Sequence, residues 1–288
     1  MIPPEFDYVA PTTLQEAIAV LEQKPDAKIL AGGHSLIPLL KFRLASVNTL
    51  VDINRIDGLS YIREEGGWLK IGAMTREADL EHDPLIGQKY PLLADAARMI
   101  ADPLVRNMAT VGGNLAHADP ANDHPAVMLA YGAVIVAAGP NGLREIPITQ
   151  FFTDLFTTAL APNEILSEIR IPAHKAGNGG CYQKLERKVG DYATAAVAVQ
   201  IHIGANGVCD TAGIGLTNVG PMPIKAVAAE QALVGSKLDD GAIKRAAQLA
   251  ADAAQPQSDY RGTEEYKRAL VKTLTVRALR KALERASN

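Results

Sequence analysis

Two glycine pairs set among hydrogen-bonding residues are the parts of this chain best suited to hold a ligand. They are Ala31-Gly32-Gly33-His34-Ser35 and Thr110-Val111-Gly112-Gly113-Asn114. Without a side chain the backbone can approach an anion closely, and successive N–H groups can then point at phosphate oxygens. Ser35, Thr110 and Asn114 add side-chain donors. A single Gly-Gly is more simply a tight turn. Two such loops, in a chain with no other phosphate motif, point to a ligand of pyrophosphate size. The competing nucleotide motifs fail. No G-x-x-x-x-G-K-[ST] occurs, and Gly213-Ile214-Gly215 lacks the third glycine of a dinucleotide fingerprint and falls inside a strand, where it reads as packing.

Two further stretches carry chemistry-bearing side chains. His117-Ala118-Asp119-Pro120-Ala121-Asn122-Asp123-His124 has the residue types of a metal site. Its prolines interrupt it, however, no helical i, i+4 spacing presents two histidines together, and a third ligand would have to come from elsewhere. Asp123 could instead accept hydrogen bonds from a polyol or a ring, or belong to an ordinary capped loop. Lys184, Arg187 and Lys188 interleave with Tyr182 and Leu185 before the turn Gly190-Asp191-Tyr192. Such a run is usually solvated charge; the alternative puts Lys184 against an electron-rich cofactor and stacks Tyr192 on a planar ring.

The elements that must position these residues fall into three groups. First, Thr13 and Glu16 are spaced as a capping box for a helix with Leu14, Ala17, Ile18 and Leu21 on one face, flanked by strands at Lys28–Ala31 and Thr49–Ile53. Second come mixed short strands and helices: a strand at Trp68–Ile71, a buried helix from Leu92 to Ala101 before Pro103, and strands at Ala133–Ala138 and Ile165–Ile171. Residues Ala173 to Gly180 read as a linker. Third, Thr194–Ala205 and Val208–Thr217 flank Asn206-Gly207, the preferred two-residue hairpin turn. Helices then follow at Ala226–Val234, Asp240–Ala254 and Thr263–Ala286, the last with Tyr266, Leu270, Leu274 and Ala278 on its docked face.

Composition narrows the function classes. The 288 residues are 48% hydrophobic and 21% charged with a net charge of -3, enough to bury a core and too nearly neutral to favour nucleic acid or an anionic membrane. The two cysteines, Cys181 and Cys209, are too few for a disulfide scaffold and too few for an iron–sulfur cluster, which normally takes four. The first residues have neither a basic nor an apolar signal region, and no apolar run approaches the roughly 20 residues that span a bilayer. The expected location is the cytoplasm.

These segments together resemble the FAD-binding medium subunits of the molybdenum hydroxylases, over essentially the whole chain from Phe6-Asp7-Tyr8 to the C-terminal helices. The resemblance is carried by Leu30-Ala31-Gly32-Gly33-His34-Ser35-Leu36, by Arg106-Asn107-Met108-Ala109-Thr110-Val111-Gly112-Gly113-Asn114, by Asp119-Pro120 with Asp123, and by Lys188-Val189-Gly190-Asp191-Tyr192-Ala193. It implies an α+β fold: a two-part FAD-binding domain, made of a small α/β unit (1–56) and a mixed α/β unit (57–175), then a C-terminal domain of antiparallel sheet and helices (176–288). It implies that the FAD pyrophosphate lies on Ala31, Gly32, Gly33, His34 and Ser35 and on Thr110, Val111, Gly112, Gly113 and Asn114. Asp123 would hold the ribityl–flavin portion, and Leu160 or Leu166 with Lys184 and Tyr192 would line the isoalloxazine.

The same resemblance implies non-covalent FAD, with no catalytic residue and no metal ligand in this chain. Electrons would arrive from an iron–sulfur small subunit fed by a molybdopterin-containing large subunit, in a dimer of heterotrimers. They would leave to an external acceptor: a quinone, NAD or oxygen. Any association with the inner face of the membrane would come through that complex. Carbon monoxide is the first expectation for the substrate of the assembled enzyme, against purines, N-heterocycles and aldehydes. One branch is excluded: flavoprotein subunits of aromatic acyl-CoA reductases carry an inserted cysteine-ligated cluster, and the cysteines are missing here. Two rival readings are a self-contained FAD oxidase of the alcohol-oxidase type, with His34 as the attachment point, and a scaffold without cofactor.

Overall fold

The computed structural model describes residues 2–287. The first unit runs β1 (Asp7–Val9), α1 (Leu14–Gln23), β2 (Lys28–Leu30), α2 (Leu36–Lys41) and β3 (Thr49–Asp52). Its strands form a parallel sheet of order β1-β3-β2. Parallel neighbours need a crossover, and the two helices supply it. The α1 capping box is present: Thr13 Oγ1 accepts from the Glu16 N–H at 3.2 Å, and the Glu16 carboxylate accepts from the Thr13 N–H at 3.3 Å.

The second unit begins with β4 (Ile62–Glu65) and β5 (Trp68–Gly72) and continues through six helices: α3 (Glu77–His82), α4 (Pro84–Lys89), α5 (Pro91–Met99), α6 (Pro103–Arg106), α7 (Val111–His117) and α8 (Asp123–Tyr131). It closes with β6 (Val134–Gly139), β7 (Gly142–Pro147), the short pair β8 (Phe152–Asp154) and β9 (Thr157–Thr158), and β10 (Ile165–Pro172). The antiparallel sheet has the order β4-β5-β10-β6-β7.

The third unit contains β11 (Asn178–Leu185), β12 (Ala195–Ile203), β13 (Cys209–Thr217) and β14 (Ile224–Lys225), paired antiparallel in that order. Helices α9 (Val227–Leu233), α10 (Asp240–Ala253) and α11 (Glu264–Ala286) follow. This sheet is covered on both faces, which explains its nearly unbroken apolar strands. Ala196 and Ala198 face the helices of the second unit, whereas Ala195, Val197, Val199 and Ile201 face α9 to α11. The Gly213-Ile214-Gly215 run is packing: Cβ atoms on the two glycines would lie 1.9 and 2.0 Å from the Ala130 and Ala126 carbonyl oxygens of α8.

Two local expectations are corrected. Asn206-Gly207 is not a two-residue turn with both residues at positive φ. Gly207 alone has one (φ 74), its N–H donates to Gly204 O, and five residues connect β12 to β13. The α11 docked face is rotated: Tyr266 is 47% exposed, while Lys267, Val271, Leu274, Ala278 and Ala282 are buried. Lys267 can be buried because its ammonium is paired with Asp259 and donates to Gln257 O, both at 2.8 Å. Among the described residues, no helix is long and apolar enough to cross a membrane.

Candidate cofactor cleft

A cleft of about 820 Å³ opens between the first and second units, with one residue of the third on its rim. That volume lies in the upper range for small-molecule and cofactor sites, which run to roughly 1,000 Å³. Ala31 to Leu36, with Leu39, Phe42 and Leu44, form one wall. Ala109, Thr110, Gly113, Asn114 and His117 face them, Phe156 and Leu160 to Pro162 close one end, and Tyr192 enters from the 190–192 turn.

The first glycine loop is a short connection between β2 and α2. Gly33 makes the bend possible with φ 76. Among the described residues, the backbone N–H groups of Gly32, Gly33, His34 and Ser35 find no protein acceptor. Four successive free amides beside a cleft form an anion-binding concavity. His34 Nδ1 lies 3.0 Å from Gly32 O, folding the imidazole back over the loop.

The second loop is built differently. Four of its amides, in the first turn of α7, are already used: Val111 N–H donates to Thr75 O, Gly112 N–H to Ala73 O, Asn114 N–H to Thr110 O, and Gly113 N–H to Thr110 Oγ1, while the N–H of the N-cap Thr110 finds no protein acceptor among the described residues. Val111 and Gly112 are buried against the second unit and do not line the cleft. What this segment brings to the cleft is Thr110, the bare Cα of Gly113 and Asn114, whose buried side-chain Oδ1 has no partner. The first loop therefore offers a row of free main-chain donors, and the second offers that of Thr110 alone.

Asp123, Lys184 and Leu166 lie behind the walls. Asp123 accepts from Tyr182 Oη at 2.5 Å and from Lys184 Nζ at 3.0 Å, and Lys184 also donates to Met99 O. Burial pushes the Asp123 carboxyl up, while Lys184 and Tyr182 pull it down. The Lys184 side chain is 1% exposed, so it is neither solvated charge nor a cleft residue. Leu166 sits in the core of the second unit, and of the two candidate leucines only Leu160 reaches the cleft. The carboxylate that does face the cleft is Asp119. Tyr192 is held at the rim because Asp191 is paired with Arg261 at 2.8 Å and with Arg187 at 3.3 Å.

Sequence reasoning missed His117 and Phe156 as cleft residues, whose rings lie 5.4 Å apart. Burial lowers the His117 pKa, so it is neutral near pH 7. The signal for Phe156 was an adjacent Leu155-Phe156 pair in an otherwise polar turn. His117 and His124 point into different surroundings, the latter buried at 2.6 Å from Glu77 Oε2.

These residues fit FAD. A side chain on Gly32 would fill the cradle, since its Cβ would stand 2.3 Å from Met108 O. Free amides suit the pyrophosphate, and apolar walls on either side suit the two ring systems. Residues 4–174 match the family model of the FAD binding domain in molybdopterin dehydrogenase, and residues 180–282 match that of the CO dehydrogenase flavoprotein C-terminal domain. The chain belongs to this flavoprotein family.

Its relatives span the same length. It is 46% identical to the carbon monoxide dehydrogenase medium chain of Hydrogenophaga pseudoflava, covering 100% of both chains. It is 38% identical to the glyceraldehyde dehydrogenase medium chain of Sulfolobus acidocaldarius, covering 97% of this chain and 99% of that one. Among solved structures, a carbon monoxide dehydrogenase from Hydrogenophaga pseudoflava superimposes with a TM-score of 0.96 at 48% identity, over 99% of each chain. Quinoline 2-oxidoreductase from Pseudomonas putida gives 0.92 at 35% identity over 100% of each. The chain is thus an oxidoreductase subunit with FAD as its cofactor.

Proposed function

We propose that this chain is the FAD subunit through which a molybdenum-containing carbon monoxide dehydrogenase discharges its electrons. The observation that carries the cofactor site is the row of four free amides on Gly32 to Ser35, residues that line the cleft. Support for carbon monoxide is the 46% identity over the full length to a carbon monoxide dehydrogenase medium chain, against 38% for the glyceraldehyde enzyme. Bound FAD supplies the ability to accept electrons singly and release them in pairs.

The residues divide the work of holding it. Gly32 to Ser35 bind the pyrophosphate through main-chain donors, and Asn114 adds a side chain from the facing wall. Asp119 accepts from hydroxyl groups of the ribityl chain, a role expected of Asp123, whose oxygens are spent on Tyr182 and Lys184. Leu160, Phe156 and Tyr192 exclude water from the ring. Neutral His117 adds no charge beside it. The three units 1–56, 57–175 and 176–288 work as a cofactor grip in two halves and a backing domain. An iron–sulfur small subunit delivers the electrons from a molybdopterin-containing large subunit, in a dimer of heterotrimers. The electrons then leave to a quinone, NAD or oxygen, with the complex in the cytoplasm or against the inner face of the membrane.

Acid precipitation of the purified chain tests the binding mode. Yellow FAD should appear in the supernatant, because the proposed hold consists of hydrogen bonds. Flavin that stays with the precipitated chain would mean a covalent link, with His34 the first suspect. A purified chain that neither contains nor takes up flavin would remove the cofactor reading altogether.

A further inference from the structure

Asn54 and Arg76 line no part of the cleft, yet they connect its two loops. Arg76 lies on a stretch paired with the second loop. Glu77 N–H donates to Ala109 O and Val111 N–H to Thr75 O, each at 3.0 Å, which makes an antiparallel bridge between Arg76 and Thr110. The Arg76 guanidinium then reaches two acceptors, the Met108 carbonyl of the second loop and Asn54 Oδ1, the latter at 2.7 Å. Asn54 follows β3 in the first unit, and its Nδ2 donates to Ala31 O at 2.9 Å, at the head of the first loop. The amide orientation is dictated by its neighbours: arginine can only donate, and the Asp52 carboxylate accepts from Nδ2 at 2.6 Å. The Met108 carbonyl is also the group against which Gly32 packs. Ala31, Asn54, Arg76 and Met108 therefore close a ring around the close backbone contact of Gly32 with Met108 between the two halves of the cleft.

We propose that Asn54 and Arg76 are positioning residues that set the spacing of the two loops before the cofactor arrives. This rests on the reading that the cleft binds FAD. A site already at its bound spacing does not spend binding energy on ordering its walls. The rival account is that Arg76 merely attracts the pyrophosphate by its charge. The two accounts separate at Asn54, which is uncharged, and at Arg76→Lys. That variant keeps the charge but loses the planar fork needed to reach two acceptors at once.

The test uses the full-length chain stripped of flavin and titrated with FAD, following flavin fluorescence and the visible circular dichroism of the bound flavin. Apo-protein urea midpoints are recorded beside it. Asn54→Ala and Arg76→Ala should each weaken FAD at least tenfold and alter the flavin dichroism, with the Asn54→Ala urea midpoint unchanged. The double variant should bind no more weakly than Arg76→Ala, because both substitutions cut the same link. Arg76→Lys should not restore affinity. Wild-type affinity in Asn54→Ala, fold-losses that multiply in the double variant, or full recovery in Arg76→Lys would each overturn the clamp. Should Arg76→Ala fail to fold, Asn54→Ala and Arg76→Lys carry the decision. A wild-type chain that takes up no FAD would overturn the cofactor reading and the clamp with it; a wild type that binds normally beside unchanged variants overturns the clamp alone.

Discussion

Gly32 and Gly112 each open a Gly-Gly pair, yet a methyl group would meet different obstacles at the two positions. At Gly32 it would stand 2.3 Å from Met108 O and 2.8 Å from Ala109 Cα, backbone of the opposite wall. Relief requires the two halves of the cleft to part. At Gly112 it would stand 2.5 Å from Ala73 Cβ and 2.7 Å from Ala73 O, inside the second unit. Relief there requires α7 to lift off its sheet. Gly32→Ala should therefore lose FAD affinity at least tenfold, ~1.4 kcal/mol, with little change in the thermal midpoint of the apo-protein. Gly112→Val should instead lower the folded stability by about 1–3 kcal/mol, the usual cost of overpacking. Flavin titration and thermal melting of both variants check this, and identical behaviour would contradict the separation of roles.

Between elements, the pair His124–Glu77 ties α8 to α3 at 2.6 Å with both side chains fully buried. Burial by itself would lower the imidazole pKa, but the charge and hydrogen bond of Glu77 carry it above the ordinary value. The sign follows. A group whose folded pKa is raised contributes stability in full below its unfolded value, about 6.5, and loses it as pH rises through the folded value. Stability should fall on going alkaline from about pH 6.5, with a slope of up to about 1.4 kcal/mol per pH unit. In His124→Gln, which keeps a donor for Glu77 but cannot titrate, the slope over that window should flatten. Urea midpoints measured across pH decide it; matching slopes in the two proteins would remove His124 as the source. Through its backbone Glu77 also meets the cleft wall, its N–H donating to Ala109 O just before the second loop.

At the scale of the whole molecule, the cleft opens between the first and second units. Among the described residues, no group of three or more His, Cys, Asp or Glu is arranged to hold a metal ion. Both cysteines are buried thiols, each pushed up to about 11, and so remain protonated at neutral pH. The isolated chain should therefore be redox-competent and substrate-blind. Dithionite should bleach its flavin and an artificial acceptor should restore the colour, while carbon monoxide, purines and N-heterocycles leave the spectrum unchanged. Adding the iron–sulfur and molybdenum subunits should let one of these substrates reduce the flavin. Bleaching of the partner-free chain by any of them would put the catalytic site in this chain after all.

Local and periodic features were legible from the residues alone. The Thr13–Glu16 capping box and the Trp68–Ile71 strand depend on interactions a few residues apart or on a repeat of two, and each lies where its pattern placed it. The three-part α+β order was legible for the same reason. What the chain order could not reveal is which groups are left free once distant segments meet. The two glycine pairs read alike, but Thr75 and Ala73, some 40 residues upstream, take the amides of Val111 and Gly112, and Thr110 takes those of Gly113 and Asn114, while those of the first loop stay open. Asp123 and Lys184 read as cleft residues, but the buried face of the third sheet brings Tyr182 and Lys184 onto Asp123 and closes them off together. Asn54 and Arg76 read as nothing in particular. Only the parallel crossover of the first unit and the bridge to Thr110 bring them together. A hydrogen-bonding group is functional when no neighbour has claimed it, and those neighbours are chosen by tertiary packing.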